Sequence, residues 1–385
     1  MSIFMTGGTG FIGSYVLDQL LDKTDERITL LIRAKDRAGA EEKLWKALQN
    51  HRNAESFFEG LERIDFAFGD LTAPKLGFDD AVYDRLVKET SSFLHIAASL
   101  NRKSAKACFN HNLRGSLSVI NLARAAHEHH GLRRFDHVST AAIAGHRSHE
   151  VLTEDQTLDW ERSDYDTYAR TKKFVEHMCD ELLPDVQRVV YRPTTIMGDS
   201  RHPRTTAFDM TRAFATLADL PIVPMDGRAR VDIANVDWVS KVISTVFLQD
   251  KPAHDAYSLS SGVASNTADE IANRINHELG RRPTRFVRQL DSGFKGVIEA
   301  MNALPGRNAI TYTGALLKVF WPYITYDTVF DNSRAVAALG GELPLPFVDY
   351  CTPLYKWVKQ HGYRYPHAPM PARPELVSVP SEVRA

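Results

Sequence analysis

The sequence predicts an α/β fold in which a doubly wound parallel sheet is followed by a smaller, mainly helical C-terminal region. Three observations support this fold class. A glycine-rich turn joins the first apolar strand to the first helix. Strand and helix patterns then alternate over roughly the first 190 residues, as in parallel α/β sheets. After Pro193 the alternation loosens and prolines become frequent, which indicates a second region of different construction.

The turn after the first strand suits a dinucleotide. An apolar run at residues 3–5 predicts a short buried strand, and residues 11–21 carry the apolar spacing of a helix. Glycines recur between them at every third position, which permits a tight turn, close approach to a pyrophosphate and packing of helix on strand. The helix N-terminus adds unpaired N–H groups. We therefore predict a Rossmann-type site, rather than a plain tight turn, with these contacts: Gly7, Thr9, Gly10, Phe11, Ile12 and Gly13.

The second strand, residues 28–33, ends on Arg33. An NAD site of this kind carries Asp or Glu at that point, for the ribose 2′-hydroxyl. A guanidinium instead suits a 2′-phosphate through paired hydrogen bonds, and Lys35 and Arg37 add positive charge nearby. The sequence therefore favours NADP(H) as the cofactor. The alternative is that Arg33 is a surface charge at a strand end.

The next two strands end in residues that suit the rest of a dinucleotide. The third strand, residues 64–68, runs into Gly-Asp-Leu, whose aspartate can accept from the adenine amino group or simply form a turn. The fourth, residues 92–96, runs into small residues that let a cofactor lie against the backbone, or a helix pack closely. The candidate cofactor contacts at these strand ends are Asp70, Leu71, Ala97 and Ala98.

Candidate catalytic residues follow the fifth strand. Ser139 and Thr140 lie at its carboxyl end, where ligands bind in open parallel sheets. Tyr168 and Lys172 are four residues apart, so a helix places both on one face. A tyrosine ordinarily titrates at about pH 10, and we expect the ammonium, helped by a positive nicotinamide ring, to lower that pKa. The phenol can then protonate the alkoxide formed as hydride reaches a carbonyl, while Thr140 holds the carbonyl oxygen.

Taken in this order, the motifs resemble the extended branch of the short-chain dehydrogenase/reductase superfamily. The matching stretches are residues 6–13, 69–71, 112–115, 138–140, 168–172, 191–193 with Gly198, and 236–237. The resemblance implies that Thr140, five residues before Gly145, is the catalytic hydroxyl, with Ser139 as second choice. It implies catalytic roles for Tyr168 and Lys172, of which Lys172 also holds the nicotinamide ribose.

The same resemblance extends to residues outside this catalytic set. It gives Asn112 a catalytic relay role or a structural one, and capping or bending of a helix is the alternative for that side chain. It also makes Arg192 and Pro193 cofactor contacts.

Within that branch the sequence is similar to thioester reductases and fatty acyl-CoA reductases, in residues 31–34, 95–98, 138–141 and 326–332. The resemblance implies reduction of an acyl thioester, bound to CoA or a carrier protein, to aldehyde or alcohol by NADPH. We expect a chain without adenylation and carrier domains to recruit its thioester in trans. The alternatives are an extended dehydrogenase, reductase or epimerase acting on a nucleotide sugar or a hydroxy or keto lipid, and a non-catalytic NADPH sensor.

Two domains are expected. Residues 1–193, with returning elements at about 231–250, form the NADP-binding domain. Residues 194–230 and 255–365 form the substrate-binding region, and residues 366–385 form a disordered tail. The aromatic stretch 292–326 favours a helical hairpin packed on the core, with a lid or a membrane-touching helix as alternatives.

Composition limits the remaining choices. A net charge of -1 gives no electrostatic case for nucleic acid. Three scattered cysteines predict neither a metal site nor a disulfide framework, and favour a reducing cytoplasm. We expect no signal peptide and no transmembrane segment, leaving peripheral membrane contact open. Monomer and homodimer are both compatible with the sequence.

Overall fold

The computed structural model describes residues 2–102, 104–306, 308–325 and 327–373. The strands, in chain order, are β1 (Ser2–Thr6), β2 (Arg27–Ile32), β3 (Ile64–Phe68), β4 (Thr90–His95), β5 (Arg134–Val138), β6 (Val151–Leu152), β7 (Arg188–Pro193), β8 (Thr195–Ile196), β9 (Ile222–Val223), β10 (Ile233–Ala234), β11 (Ala256–Leu259), β12 (Arg285–Phe286) and β13 (Val329–Phe330). Seven of them form one parallel sheet in the order β11-β7-β5-β4-β1-β2-β3.

Helices cover both faces of this sheet and build most of the C-terminal region. In chain order they are α1 (Phe11–Lys23), α2 (Arg37–Leu48), α3 (Ala54–Leu61), α4 (Asp80–Glu89), α5 (Ala105–Cys108), α6 (Gly115–His130), α7 (Glu154–Thr157), α8 (Thr167–Leu182), α9 (Phe208–Ala218), α10 (Val236–Leu248), α11 (Ala268–Glu278), α12 (Asp291–Ala303), α13 (Ala309–Thr325), α14 (Ser333–Ala338) and α15 (Cys351–Gln360). A π-helical segment, residues 109–114, joins α5 to α6.

The strand order reverses between β1 and β4, and this reversal opens a crevice at their carboxyl ends. The glycine turn leaves β1 at one side of the crevice, and residues 96–98 leave β4 at the other. Both sheet faces are buried, which explains why β1 and β2 read as nearly continuous apolar runs. Ile3 and Met5 pack toward α1 and α10, whereas Phe4, Phe93 and Phe135 pack toward α4, α6 and α8. The predicted doubly wound parallel fold is confirmed.

The observed strand pairing differs from two assignments that the sequence suggested, those of β10 and β11 to the main sheet or to the substrate-binding region. β11 was expected in the substrate-binding region, but it pairs with β7 and forms one edge of the main sheet. β10 was expected to return to that sheet, but it pairs with β8 in a separate two-stranded ribbon, and only α10 returns, packing on α1. Both strands are short and fully buried, so they show no alternation of apolar and polar residues that would reveal their partners.

The C-terminal region is mainly helical, as predicted. α12 and α13 form a helical hairpin, and α13 also packs on α9. This confirms the preferred interpretation of the aromatic stretch at residues 292–326. In the part of the chain that the structure describes, no helix has both the length and the apolar character needed to cross a bilayer.

The beginning of the predicted disordered tail is ordered. The indole of Trp45, on α2, donates to the Pro369 carbonyl at 2.9 Å, and the Gln49 side chain accepts from Ala368 N at 2.7 Å. Met370 packs against the core cluster that contains α1 and α2. The expectation of disorder is therefore wrong for residues 366–373, because polar and apolar contacts on α2 hold them. Residues 374–385 lie outside the described residues.

A buried carboxyl group, Asp232, precedes β10. Its Oδ1 accepts from Ser261 N at 2.9 Å and from Thr194 Oγ1 at 3.0 Å. Burial raises the pKa of Asp232 to about 7, although these hydrogen bonds oppose the shift. The folded protein therefore retains a proton here at pH values at which the unfolded chain has released it.

Asp232→Asn is expected to remove a pH dependence of stability. Between the usual aspartate pKa of 3.8 and a folded value of about 7, the wild-type free energy of unfolding falls as pH rises, because the folded state binds more protons. The variant lacks this loss, so its stability relative to wild type rises with pH across that window and then levels off. Urea denaturation at a series of pH values measures the difference, and a constant difference would contradict the assignment.

Candidate active site

The glycine turn between β1 and α1 packs too closely against its own backbone and the chain after β4 to admit side chains. Gly7 has a φ of 81°, and a Cβ there would lie 2.6 Å from Ala97 N. A Cβ on Gly13 would lie 2.0 Å from the Gly7 carbonyl oxygen. Gly10 precedes α1 and has no side chain to cap it, so the first N–H groups of the helix remain available for phosphates. The turn therefore fits the diphosphate of a dinucleotide.

The residues expected around the adenosine end lie at the carboxyl ends of β2 and β3. The Arg33 side chain is 69% exposed, and its Nη1 lies 3.8 Å from Asp70 Oδ2. The other Asp70 oxygen accepts from the backbone and hydroxyl of Thr72 at 2.8 and 2.7 Å. These bonds lower the pKa of Asp70 and form the turn that was the alternative role for this residue. Leu71 packs beside Gly115 of α6, and its contact with a cofactor stays a prediction.

Asn112, in the π-helical segment, holds the loop that follows β4. Its Oδ1 accepts from Ser99 N at 2.7 Å, and its Nδ2 donates to Ser99 O at 3.2 Å. The same Nδ2 donates to Thr171 Oγ1 on α8 at 3.2 Å. Asn112 therefore links the loop containing Ala97 and Ala98 to the helix that carries Tyr168. These contacts support the structural role rather than the relay role.

Thr140, Tyr168 and Lys172 converge at the carboxyl end of β5. Tyr168 lies in the first turn of α8, where the side chain of Asp166 caps the helix by accepting from Ala169 N at 2.8 Å. Lys172 follows on the same face, and its Nζ donates to the carbonyl of Val138, the last residue of β5, at 2.7 Å. Thr140 Oγ1 lies 3.5 Å from the Pro193 carbonyl and is hydrogen-bonded with Tyr168, whose pKa is raised by burial against the opposing effect of this hydrogen bond.

Ser139, the second choice for the catalytic hydroxyl, is also buried. Its N–H donates to Tyr191 O at 2.7 Å, as expected for the end of a paired strand. Its Oγ has no hydrogen-bond partner among the described residues. Thr140 rather than Ser139 is therefore the hydroxyl that the structure brings to Tyr168, and its catalytic role stays a prediction.

The acidity of the phenol differs from the sequence-based expectation. Burial raises the pKa of Tyr168, and the guanidinium of Arg102 is the strongest influence in the opposite direction. Burial also lowers the pKa of Lys172 to about 8, against the attraction of Glu176. Lys172 was expected to lower the Tyr168 pKa, but its ammonium is bonded to the Val138 carbonyl, and Arg102 lies against the phenol ring. A neutral phenol remains the correct form for donating a proton.

Arg102 is a site residue that the sequence did not reveal. Its guanidinium carbon lies 4.5 Å from the ring centre of Tyr168, 5.4 Å from Phe320 and 5.2 Å from Tyr323. Asp166 pairs with Arg102 at 3.2 Å and accepts from the Tyr323 hydroxyl at 3.0 Å. Arg102 thus joins Tyr168 to α13. Phe320 and Tyr323 lie far away in sequence, so no local pattern predicts the contact.

Arg192 was expected to contact the cofactor, and its side chain does not face the crevice. Its guanidinium pairs with Glu176 of α8 at 2.8 Å and donates to the Glu154 carbonyl at 2.7 Å. The side chain is 8% exposed, because α7 and α8 cover it. The Arg192 side chain is therefore held by Glu176 and the Glu154 carbonyl, and a contact of this residue with the cofactor stays a prediction. Pro193 remains close to the site through its carbonyl, which faces Thr140.

The comparisons with known proteins agree with this geometry. The family profile described as male sterility protein matches residues 5–243, which is more than half of the chain. The nonribosomal peptide synthetase asaC of Aspergillus flavus is 28% identical over 246 residues, covering 60% of this chain and 23% of the synthetase. The putative fatty acyl-CoA reductase CG8303 of Drosophila melanogaster is 24% identical over 228 residues, covering 52% of this chain and 42% of that protein. The matches thus span less than half the length of either relative.

A solved structure resembles nearly the whole chain. The terminal R domain from the myxalamid PKS-NRPS biosynthetic pathway superposes with a TM-score of 0.80 at 22% identity, covering 94% of this chain and 91% of that one. UDP-glucuronic acid 4-epimerase from Bacillus cereus, in complex with NAD, is more distant at a TM-score of 0.61 and 18% identity, covering 94% and 97%. At such identities these likenesses show the fold alone. The family match carries the assignment: the chain belongs to the male sterility protein family, a group of nicotinamide-dependent oxidoreductases within the extended short-chain dehydrogenases/reductases.

Proposed function

We propose that the protein reduces an acyl thioester, bound to CoA or to a carrier protein, to an aldehyde or alcohol with NADPH. The observation that carries this proposal is the convergence of Thr140, Tyr168 and Lys172 at the end of β5, in the same crevice as the glycine turn. The relatives include a peptide synthetase and a putative fatty acyl-CoA reductase, and these names favour a thioester as the substrate class.

The chain's own residues account for the carbonyl chemistry. A reduced nicotinamide, when bound, would supply hydride to the carbonyl carbon of the substrate. The hydroxyls of Thr140 and Tyr168 hold the carbonyl oxygen, and Tyr168 donates a proton to the oxygen that becomes negative. The resulting hemithioacetal then breaks its C–S bond, which releases the thiol of CoA or of the carrier and leaves the aldehyde. Lys172 is buried beside them, where its position suits the ribose of the cofactor. Arg102, against the Tyr168 ring, favours transfer of the phenolic proton because its charge stabilises the phenolate.

NADPH is the proposed form of the cofactor because of Arg33. Its guanidinium is exposed at the end of β2, and its weak pairing with Asp70 at 3.8 Å leaves it able to meet a 2′-phosphate. No carboxylate follows β2 at that position to receive a ribose 2′-hydroxyl, since the residues after Arg33 are Ala34 and Lys35.

Arg33→Ala is expected to raise the KM for NADPH by about tenfold, with little effect on the KM for NADH, because one exposed charge-assisted hydrogen bond is lost. Arg27→Ala is the matched control, since Arg27 starts the same strand and pairs with Asp65 at 2.8 Å. Initial rates with both coenzymes measure the effect. Equal increases for NADPH and NADH would remove the argument for a 2′-phosphate site.

The reaction itself is tested by NADPH consumption with a panel of acyl-CoAs, fatty aldehydes and UDP- or GDP-sugars. We expect activity with the thioesters and the aldehydes. Activity confined to the sugars would reject the proposal in favour of a nucleotide-sugar enzyme. An enzyme inactive on every substrate yet able to bind NADPH would favour the sensor.

A further inference from the structure

A narrow apolar cavity lies among α9, α11 and α13 in the C-terminal region. Its walls include Ala213 and Leu217 from α9, Ala272 from α11, and Phe320 and Trp321 from α13. The cavity holds about 80 Å³ and has no ionisable side chain among its lining residues. A single water needs about 10–15 Å³ on this measure, so the cavity has room for a short chain of methylene-sized groups.

One end of the cavity lies close to the catalytic residues. Thr195 lines it, and the carbonyl of Pro193, two residues earlier, lies 3.5 Å from Thr140 Oγ1. Phe320 lines it as well, and the guanidinium of Arg102 separates this ring from Tyr168, at 5.4 and 4.5 Å. Phe320 therefore belongs both to the cavity wall and to the group of side chains that surrounds Arg102 and Tyr168.

The lining cannot satisfy a polar ligand. Its polar side chains are those of Thr195, Thr284 and Trp321. Thr284 Oγ1 already accepts from Asn276 Nδ2 at 2.9 Å, and Trp321 Nε1 already donates to Asp291 Oδ1 at 2.8 Å. A sugar or a peptide backbone would leave its hydrogen-bonding groups unpaired here, at a substantial cost. A hydrocarbon chain has no such groups and gains from leaving water. Met197, Met210 and Met225, whose side chains adapt readily to different shapes, also contact the space.

We propose that this cavity receives the aliphatic chain of the acyl substrate. The chain runs from the carbonyl held at Thr140 and Tyr168, past Phe320, toward Ala272 on α11. The inference rests on the proposed function for the carbonyl end of the substrate. The affinity of the cavity for hydrocarbon follows from its own lining, and this allows the two proposals to be tested separately.

The first test measures binding without turnover, by isothermal titration calorimetry with decanol. Ala272→Leu and Ala218→Leu fill the cavity from α11 and from α9, and each is expected to weaken decanol binding by about tenfold because it displaces several methylene groups. Asn273→Leu is the control, since it places the same side chain on the exposed side of α11. The two substitutions lie on different helices, so that if one variant misfolds the other can still be measured. Wild-type affinity in a folded cavity-filling variant would overturn the proposal.

The second test compares hexanoyl-CoA with lauroyl-CoA as substrates. Both cavity-filling variants should lower kcat/KM for the longer chain by about tenfold more than for the shorter one, whereas Asn273→Leu should leave the ratio unchanged. Turnover with an unchanged ratio would overturn the acyl-chain site while leaving the reductase function intact. A third outcome is that the variants weaken decanol binding while the wild-type protein turns over no thioester and no aldehyde. This result would support the hydrocarbon site and reject the reductase function.

Discussion

Tyr168→Phe is expected to lower kcat by about 10²–10⁴-fold, the usual contribution of a positioned general acid, with NADPH affinity close to wild type. The phenol is 6% exposed and lies beside Thr140 at the end of β5, so removing its hydroxyl removes the proposed proton donor. The ring itself remains, and so does its contact with Arg102. Steady-state rates and a fluorescence titration with NADPH separate the loss of chemistry from a loss of binding.

The matched control for this change is Tyr83→Phe, on α4. Tyr83 contacts Lys75 on the outside of the sheet, away from the crevice. We expect this variant to have wild-type kcat. If Tyr168→Phe retained full activity, Tyr168 would not be the proton donor, and the proposed mechanism would have to assign that role to another group.

Gly13→Ala is the second change with a large expected effect. A methyl group at this position would lie 2.0 Å from the Gly7 carbonyl oxygen and 3.1 Å from Gly8 Cα, both of them backbone atoms that cannot turn aside. Either α1 moves away from the turn or the turn changes shape. We expect a loss of about 1–3 kcal/mol in the free energy of unfolding, the usual cost of overpacking, and a fall of at least about tenfold in NADPH affinity.

Gly296→Ala provides the control for this substitution. Gly296 lies inside α12, and no described atom outside its own turn of helix would come within 4 Å of a Cβ there. Alanine is the better helix former, so this variant should be stabilised by up to about 1 kcal/mol. Thermal unfolding and NADPH titration of both variants complete the comparison. Wild-type affinity in Gly13→Ala would show that the turn does not hold the cofactor.

The local signals of the site were predictable from the sequence. The glycine spacing, the Tyr168–Lys172 spacing and the apolar strands each depend on neighbouring residues. The third strand was predicted with its observed bounds, and the second and fourth differ by one or two residues at their ends. The order of these signals was sufficient to predict the sheet and to place the candidate residues at its carboxyl edge.

Features that depend on tertiary packing were not predictable in this way. Arg192 has the expected place at the end of β7, but Glu176 on the neighbouring helix draws its side chain into the interior. Arg102 meets residues of α13 that lie more than two hundred positions later in the chain. The apolar cavity needs three helices from separate parts of the sequence. In each case the residues that make contact are brought together only by the fold, so the local sequence pattern does not indicate them.

The position of Arg102 has a consequence for how this protein can change over evolutionary time. One cation contacts both Tyr168 and the hairpin that borders the cavity, and its charge opposes the rise in the Tyr168 pKa. We therefore expect mutations in α13 that displace Arg102 to alter the acidity of Tyr168 as well as the shape of the cavity. Substrate selectivity and the pH dependence of activity are then expected to change together when α13 changes during evolution.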